Sequence, residues 1–456
     1  MSWTPDQAKA LAERILSFSK APDCEVSLRL SQTGHTRFAA NEITTAGMVR
    51  DVSVAITSHD GDKSGSTTTV ELDDSLLREA VAKSEALMAA AQPDPEQVES
   101  LGPQDYPPIP AFDDATAAAG PIERRDGVKA ALELARGEGL NASGFFETGA
   151  RWLAIANKKG NFGFHRATFA EYSTTMRTAD GTGSGYARSG SSRLADLQAS
   201  SLAARAASKA ESSAKPRELP PGAYTVILEP EAVADLLTFL FFSLNGRNAD
   251  EGRSFLSKPG GGTRVGEKLF ADGVTLRSDP FNPRSPGTPW TGGGGRGVLG
   301  GRFGGGSGGL PARRTTWIEN GVVKLLSVDR YWAKKTNVEP VPMSGGMVLE
   351  GSDKSLEALI AETPRALLVT RFWYIRSVNP QTVMATGLTR DGVWLIENGK
   401  VVHPVNNFRF NESPVNLLKN LEATSVAVPA GSEFSALTVP AIRAHDFHFT
   451  SKSDAV

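Results

Sequence analysis

Apolar residues recur at two different spacings along the chain, and the spacing predicts where strands and helices lie. Alternation over residues 26–30 and 52–56 predicts strands with one buried face. Spacing of three and four over residues 76–88 and 126–136 predicts amphipathic helices. The alternating pattern predicts further strands at residues 151–157 and 162–176.

The amino terminus has the signals of a capped helix. Thr4, followed by Pro5 and Gln7, matches a capping box, in which a side-chain hydroxyl and a glutamine each satisfy a free backbone N–H. The predicted inner face carries Leu11, Ile15 and Phe18. Because this stretch lacks a basic start and an uninterrupted apolar run, it does not match a secretory signal, and we expect a cytoplasmic protein.

Residues 231–246, EAVADLLTFLFFSLNG, predict a helix that is apolar on almost every side. Pro230 suits the first turn, and Asn245-Gly246 suits a left-handed end. The helix is too short for a bilayer, which takes about 20 apolar residues. It is therefore either a core helix or a helix that has lost polar residues.

Composition shifts predict two domains. Residues 92–121 are rich in proline and acidic residues and predict an extended crossing loop, and the alanine-rich run 193–215 is typical of a long surface helix. The chain then breaks at Leu-Pro-Pro-Gly, residues 219–222. We therefore expect an N-terminal domain over residues 1–215 and a C-terminal domain over residues 219–456.

The second half predicts a β-rich, largely antiparallel domain, so that the whole chain belongs to the α+β class. The runs WIENGVV at 317–323 and WLIENGKVV at 394–402 each place Asn-Gly between apolar residues, which is a strong hairpin signal. Between them and the apolar helix lies a tract, residues 292–309, in which twelve of eighteen residues are glycine. Such a tract cannot pack a core, and we expect it to be mobile or to line a cleft.

Charge and cysteine content exclude several function classes. The net charge of the 456 residues is -2 at pH 7, whereas binders of nucleic acid or anionic membranes are usually more basic. A single cysteine, Cys24, allows neither an internal disulfide nor a cysteine-based zinc site, and its apolar surroundings indicate a buried thiol.

No catalytic motif is evident from the residues alone. No Gly-Lys-Ser/Thr follows any glycine cluster, which argues against a nucleotide phosphate site. The six histidines include no His-Glu-x-x-His, and His445 and His448 lie on a predicted strand that would turn them to opposite faces. Ser17-x-x-Lys20 ends an amphipathic helix and lacks the partner motifs of a serine nucleophile.

Five segments in order resemble the TldD/PmbA family, also called TldD/TldE, of bacterial and archaeal metalloprotease-related proteins. They cover nearly the whole chain: TRFAANEIT at 36–44, residues 219–237, residues 312–335, GVWLIENGKVVHPV at 392–405, and VPAIRAHDFHFTS at 439–451. The resemblance implies an N-terminal α/β domain followed by a β-rich C-terminal domain.

The resemblance also offers a reason for the apolar helix. In the TldD branch this helix carries a His-Glu-x-x-x-His zinc motif, which aligns with residues 237–242 of this chain. Leu237 and Phe242 then occupy the two ligand positions, and Thr238 stands at the position of the glutamate. The TldD branch adds a cysteine near its C-terminus, where this chain has none. The chain therefore resembles the TldE (PmbA) branch, which lacks the zinc motif, and we expect no metal or other cofactor in it.

The resemblance implies a role as a non-catalytic subunit. A zinc-bearing TldD-like partner would form a heterodimer with this chain around a cavity, and unfolded or precursor peptides would be cut at the partner's zinc. The candidate cavity-wall residues, each with a structural role in the hairpins as the alternative, are Arg313, Arg314, Asp329, Arg330, Tyr331, Trp332, Asn379 and Thr386.

Two other functions remain open at this point. The chain could be a stand-alone homodimeric peptide-binding or scaffold protein, or a metal-free enzyme of unrecognised chemistry. A neighbouring gene that encodes a TldD-like protein would favour the heterodimer.

Overall fold

The computed structural model describes residues 2–291, 308–432 and 435–453. Most of the glycine tract, residues 292–307, lies outside the described residues, so the expectation about its mobility stays a prediction. In the described parts of the chain, no helix is both long enough and apolar enough to cross a membrane.

The first half forms one six-stranded antiparallel sheet with helices on it, in the strand order β3-β2-β1-β4-β5-β6. Its elements are α1 (Pro5–Phe18), β1 (Asp23–Ala39), β2 (Glu42–Asp60), β3 (Lys63–Thr69), α2 (Asp74–Ala90), α3 (Asp114–Ala118), α4 (Pro121–Gly137), β4 (Asn141–Asn157), β5 (Phe162–Arg177), β6 (Ser184–Ser191) and α5 (Ala199–Ser212). The predicted strands and helices of this half are confirmed, and each is longer than the apolar pattern alone indicated.

Two apolar clusters hold the helices of this half against the sheet. One cluster joins α1 and α2 to β1, β2 and β4, and the other joins α4 and α5 to β4, β5 and β6. The capping box of α1 is present, since the Thr4 hydroxyl accepts the Gln7 N–H at 3.2 Å and the Gln7 side chain accepts the Thr4 N–H at 3.0 Å. Cys24 is fully buried as expected, and burial raises the pKa of its thiol.

Two predictions for this half differ from the structure in the bounds of their elements. The loop 92–121 contains the short helix α3 and the first residue of α4. The run 193–215 forms a one-turn 3₁₀ helix and then α5, whose alanine face, including Ala203 and Ala206, is buried against the sheet. The opposite face, which includes Arg205 and Glu211, is exposed, so α5 is a surface helix as predicted but is shorter than the run, because its first residues form the 3₁₀ turn.

The second half contains two sheets. Its elements are β7 (Gly222–Leu228), α6 (Pro230–Ser243), α7 (Gly246–Asp250), β8 (Leu276–Ser278), β9 (Thr315–Glu319), β10 (Val322–Val323), α8 (Arg330–Thr336), β11 (Met347–Leu349), α9 (Leu356–Ala361), β12 (Arg365–Asn379), β13 (Met384–Glu397), β14 (Lys400–Pro404), β15 (Asn407–Glu412), α10 (Pro414–Lys419), β16 (Leu421–Thr424), β17 (Val428–Ser432), β18 (Ser435–Val439) and β19 (Ile442–Ser453). One sheet has the order β10-β9-β8-β11-β18-β17. The other has the order β12-β7-β19-β15-β13-β14, and pairing of β12 with β13 closes five of its strands into a barrel.

Most strand pairs in this half are antiparallel, which confirms the α+β fold class. The parallel pairs are β7 with β12 and β11 with β18. Both predicted hairpins are present, and their turns place Asn320 and Gly321, and Asn398 and Gly399, at positive φ. The predicted break at residues 219–222 follows α5 and ends at the first residue of β7, and the division into two domains stays a prediction.

Helix α6 lies between the two sheets of the second half. Val233, Leu236, Leu237, Leu240 and Phe241 are fully buried and belong to one large apolar cluster. The helix is thus a core helix, as one of the two sequence interpretations held. Its predicted end is wrong in detail, because Leu244 ends α6 while the Asn245 side chain accepts the Asn248 N–H and begins α7.

Candidate functional site

The N-terminal half of α6 carries two acidic residues on the one face that is not packed into the apolar core. Glu231 and Asp235 are four residues apart and therefore lie on the same face of the helix. The Glu231 carboxylate accepts the backbone N–H of Gly431 in β17, and Asp235 Oδ2 accepts the N–H of Phe372 in β12 at 3.2 Å. Both residues are half-buried. They thus line the space between β12, β17 and the first sheet.

Strand β6 of the first sheet supplies an arginine to this face. Arg188 Nη2 lies 3.1 Å from Glu171 Oε2, and Arg188 Nη1 donates to the Gly431 carbonyl at 2.7 Å. Both backbone polar groups of Gly431 are therefore held by side chains, the N–H by Glu231 and the carbonyl by Arg188. A side chain at residue 431 would meet the Arg188 guanidinium at about 3.3 Å. Glycine here allows the first sheet to approach β17 closely.

A second arginine, Arg371 in β12, completes the cluster. Its Nε donates to Asp391 Oδ2 at 2.6 Å, and its guanidinium lies 3.8 Å from the centroid of the Tyr186 ring. Asp391 is fully buried and accepts the Ser184 hydroxyl at 2.5 Å. Residues from β6, β12 and β13 therefore meet in one hydrogen-bonded network.

The environment raises the pKa of both helix carboxyls. Burial raises the pKa of Glu231 to about 7, although Arg188 and Arg371 oppose the shift. Burial, together with the nearby Glu231 charge, raises the pKa of Asp235 to about 8. Burial also raises the pKa of Tyr186 to about 12, so its hydroxyl stays protonated near neutral pH. The pair can therefore hold or release protons near neutral pH and can accept hydrogen bonds from peptide N–H groups.

The positions that the resemblance assigns to the zinc motif are packed. Leu237 is fully buried, Thr238 is buried with its hydroxyl donating to the Ala234 carbonyl at 2.9 Å, and Phe242 is partly buried. Across residues 2–291, 308–432 and 435–453, no group of three or more histidine, cysteine or carboxylate side chains has the arrangement of a metal site. His445 and His448 lie on β19 as predicted, and each contacts a different carboxylate. The expectation of no metal in this chain stays a prediction.

Four of the eight predicted cavity-wall residues lie at the start of α8. The Asp329 side chain caps the helix by accepting the Trp332 N–H at 2.7 Å, and the Trp332 indole N–H donates to Asp250 at 2.7 Å. Arg330 donates to the carbonyl of Glu99 in the first half of the chain, and Arg247 lies over the Tyr331 ring. These contacts fasten α8 in place.

The other four lie in two further places. Arg313 donates to the Pro340 carbonyl at 3.1 Å, and Arg314 pairs with Asp279 at 3.0 Å just before β9. Asn379 ends β12 and accepts the Gln381 N–H, and the Thr386 hydroxyl donates to the Phe410 carbonyl at 3.0 Å. In the described structure, no hydrogen bond or ion pair joins any of the eight to Glu231 or Asp235. Their role as substrate contacts stays untested.

Sequence reasoning missed the charged cluster around α6. Its one local signal was a pair of acids four residues apart on a helix that is otherwise apolar. The partners Arg188 and Arg371 lie far from α6 in sequence, and nothing in the local pattern connects them to it.

The sequence matches one protein-family model, and the fold is similar to that of solved structures. The family model described as PmbA/TldA metallopeptidase C-terminal domain matches residues 221–451. The structure of TldE from Thermococcus kodakarensis is similar, with a TM-score of 0.84 and 20% identity, over 97% of this chain and 99% of that chain. No curated protein sequence gives a significant match.

Two bacterial structures, each described as a candidate modulator of DNA gyrase, are also similar. The protein from Bacteroides thetaiotaomicron has a TM-score of 0.82 and 21% identity, over 98% of this chain and 99% of that chain. The protein from Thermotoga maritima has a TM-score of 0.80 and 18% identity, over 97% of this chain and 100% of that chain. At these identities the three structures establish a shared fold.

Proposed function

Because the chain belongs to the PmbA/TldD family, which is related to metallopeptidases, we propose that it is the metal-free subunit of a TldD/TldE-type metallopeptidase. In this role it helps to enclose and bind unfolded or precursor peptides, which are cut at the zinc of a TldD-like partner. The observation that carries the proposal is the packing of α6, where Leu237 lies fully buried in an apolar cluster.

Chemistry supports a non-catalytic role for this helix. Hydrolysis of a peptide bond near neutral pH needs an activated water or nucleophile. The side chains of Leu237 and Phe242 have no lone pair that could bind a metal ion, and Thr238 already donates its hydroxyl to a backbone carbonyl. The partner therefore supplies the activated water.

The carboxylates on the other face of α6 suit the wall of a peptide cavity. Glu231 and Asp235 already accept backbone N–H groups from β17 and β12. Both residues are half-buried, and in this proposal a bound chain offers them further N–H groups. Recognition through backbone groups is largely independent of sequence, as a general peptidase of unfolded segments requires.

The test compares cleavage of an unstructured peptide in four samples. These contain this chain alone, the partner alone, both proteins, and both proteins after substitution of the partner's zinc-motif glutamate. We expect cleavage only with both intact proteins. Cleavage by this chain alone in the presence of a chelator would contradict the proposal and favour a metal-free enzyme. Absence of cleavage in every sample would favour the homodimeric scaffold.

A further inference from the structure

Gly431 is a point at which three separate segments of the chain meet. In the described structure, β17 lies at the edge of its sheet and pairs with β18 alone. The Gly431 N–H is accepted by the Glu231 carboxyl of α6, and the Gly431 carbonyl accepts a hydrogen bond from Arg188 Nη1 of β6 at 2.7 Å. Two side chains therefore take the place that a neighbouring strand would have, and they protect this edge of the sheet.

The same contact joins the two halves of the chain. Arg188 belongs to the first sheet, and its Nη2 also lies 3.1 Å from Glu171 Oε2 in β5 of that sheet. A Cβ added at Gly431 would lie 3.3 Å from the Arg188 guanidinium, so the two halves are already in close contact here. A change in the charge of Glu231 therefore acts directly on the junction between β6 and β17.

Glu231 has no cation of its own. Within residues 2–291, 308–432 and 435–453, no ion pair includes Glu231 or Asp235, which lies one turn further along α6. Each cation that faces these two carboxyls forms an ion pair with another carboxylate. The ion pairs are Arg188 with Glu171 at 3.1 Å, Arg371 with Asp391 at 2.6 Å and Lys209 with Glu229 at 2.6 Å.

The other groups around Glu231 do not supply a positive charge to it. Tyr186 of β6 stays protonated near neutral pH, and Asp235 adds a second negative charge when it ionises. Arg390 in β13 acts on the carboxylate that is already paired with Arg371. The described residues of β17 include no charged side chain. In the described chain, an ionised Glu231 is thus left with a backbone hydrogen bond and no cation within ion-pair distance.

A buried carboxyl without a cation favours its protonated form. Burial raises the pKa of Glu231 from its usual 4.5 to about 7. If the junction opens, water solvates Glu231 and its pKa returns towards 4.5, so that opening releases a proton. The closed junction is therefore most stable below the usual pKa and loses this stability as pH rises towards the raised one. In this range each pH unit shifts the equilibrium towards the open junction by up to about tenfold.

We propose that Glu231, Gly431 and Arg188 form a proton-dependent latch, which holds the first sheet against β17 while Glu231 is protonated and releases it when Glu231 ionises. The latch goes beyond the proposed function, because it sets how closely the two halves of this chain approach each other. It needs neither a partner nor a peptide. Release widens the space between α6, β6 and β17.

Hydrogen exchange of single backbone amides in the full chain tests the latch. The Gly431 amide is followed at pH 5.5 and pH 7.5, and exchange times are scaled for the intrinsic pH dependence of amide exchange. The Leu28 amide, in the centre of the first sheet, is the reference for global unfolding. We expect Gly431 to be less protected than Leu28 at both pH values. Its protection should fall about twentyfold or more from pH 5.5 to pH 7.5.

Glu231→Gln should remove a factor of about twenty from this change, because glutamine keeps an oxygen for the Gly431 N–H but cannot ionise. Glu133→Gln is the matched control, since Glu133 also lies on a helix, α4, and its side chain is 61% exposed. In this control the Gly431 amide should follow that of the unsubstituted protein. The pH dependence of the unsubstituted protein already tests the latch, so the test does not depend on the stability of a variant.

Spin labels measure whether the two halves themselves separate. One label replaces the exposed Ala204 on α5, and the other replaces the exposed Lys419 on α10. Cys24 is buried and should stay unlabelled. The distance between the labels, measured by double electron–electron resonance, should have a narrow distribution at pH 5.5 and a broader or longer one at pH 7.5.

Equal protection of Gly431 and Leu28, protection of Gly431 that does not change with pH, or a full pH response in Glu231→Gln would overturn the latch. An unchanged distribution of label distances would do the same. All these measurements use the chain alone, so their outcome is independent of the peptide-cleavage assay.

Discussion

At the scale of single residues, the most informative groups are Glu231 and Asp235, because their charges are not fully balanced by the cations around them. Each has an arginine nearby, but Arg188 is also paired with Glu171 and Arg371 with Asp391. Burial therefore dominates, and the pKa of each carboxyl is raised. Each carboxyl nevertheless accepts a backbone N–H, Glu231 that of Gly431 and Asp235 that of Phe372.

We predict that Asp235→Asn stabilises the protein at pH 8 and not at pH 4. The pKa of Asp235 is raised from its usual 3.8 to about 8, so between these values the native state binds a proton that the unfolded state releases. The protonated Asp235 side chain therefore stabilises the native state at low pH, and this stabilisation is lost as pH rises from the usual pKa towards the raised one. Asparagine keeps an oxygen for the Phe372 N–H but cannot ionise. The melting temperature of the variant should exceed that of the unsubstituted protein by an amount that increases as pH rises from 4 to 8.

Asp272→Asn is the control for this prediction, because the Asp272 side chain is 81% exposed. Its melting temperature should follow that of the unsubstituted protein across the same pH range. A constant difference for Asp235→Asn, or a lower melting temperature at pH 8, would contradict the raised pKa.

A second prediction at this scale is that the purified chain retains no stoichiometric zinc. Leu237 and Phe242 cannot act as ligands, and Cys24, the one cysteine in the sequence, is fully buried beneath α1 in the first half. Elemental analysis after brief dialysis measures this directly, with a TldD-like partner treated in parallel as the positive control. One tightly held zinc per chain would refute the alignment of the motif.

At the scale of elements, the two Asn-Gly hairpins and the apolar helix α6 organise the second half. The turns place Asn398 and Gly399 at φ of 49° and 74°, where asparagine and glycine are tolerated best. Gly399 is also packed, because an added Cβ would lie 2.3 Å from the Ala361 carbonyl oxygen at the end of α9. The same two-residue turn therefore sets the strand register and allows α9 to approach the hairpin.

We predict that Gly399→Ala costs about 3 kcal/mol of unfolding free energy, since backbone strain and a steric clash add together. Gly61→Ala is the matched control. Gly61 also has a positive φ in a hairpin turn, but an added Cβ there meets nothing within 4 Å. Its cost should be about 1 kcal/mol, from the backbone conformation alone. Urea denaturation of both variants measures the difference. Equal losses of unfolding free energy would show that α9 moves to make room for the added methyl group.

At the scale of the whole molecule, polar contacts join the two halves of the chain at several points. Lys209 in α5 pairs with Glu229 before α6 at 2.6 Å, and their side chains are 15% and 10% exposed. The Trp394 indole N–H donates to the Ser212 carbonyl at 3.0 Å. Arg247 makes two hydrogen bonds of 2.6 Å to Glu96. These contacts fix the first sheet against α6, and with it the position of Arg188 beside Glu231.

We predict that Lys209→Met lowers the unfolding free energy by about 3 kcal/mol, because it leaves the Glu229 carboxylate buried without its cation. The double variant Lys209→Met/Glu229→Leu should recover part of this loss. Lys9→Met is the control, since Lys9 and Glu13 are 54% and 64% exposed and such pairs contribute about 0.5 kcal/mol or less. Urea denaturation measures all three. A loss as small as that of the control would mean that solvent reaches Glu229 easily.

The sequence by itself determined the elements whose signals are local. Periodicity identified β1, β2, β4 and β5 of the first sheet but not its edge strands β3 and β6; it also identified the helices α2 and α4, and Thr4 and Gln7 marked the start of α1. Asn-Gly fixed both hairpins, because few residues other than these adopt the required positive φ. The order of five short segments was sufficient to identify the family, although no single segment is specific by itself, because segment order can be read along the chain without its neighbours in space.

Tertiary structure alone decided how these elements combine into a site. The closure of the β-barrel depends on the pairing of β12 with β13 and with β7, which lies more than a hundred residues earlier in the chain. The end of α6 was predicted wrongly because Asn245 caps the next helix. Glu231 gained its partners from β6 and β17, and its raised pKa follows from burial that no local pattern encodes. Electrostatic environment depends on what surrounds a group in space, whereas helix and turn signals depend on a few adjacent residues.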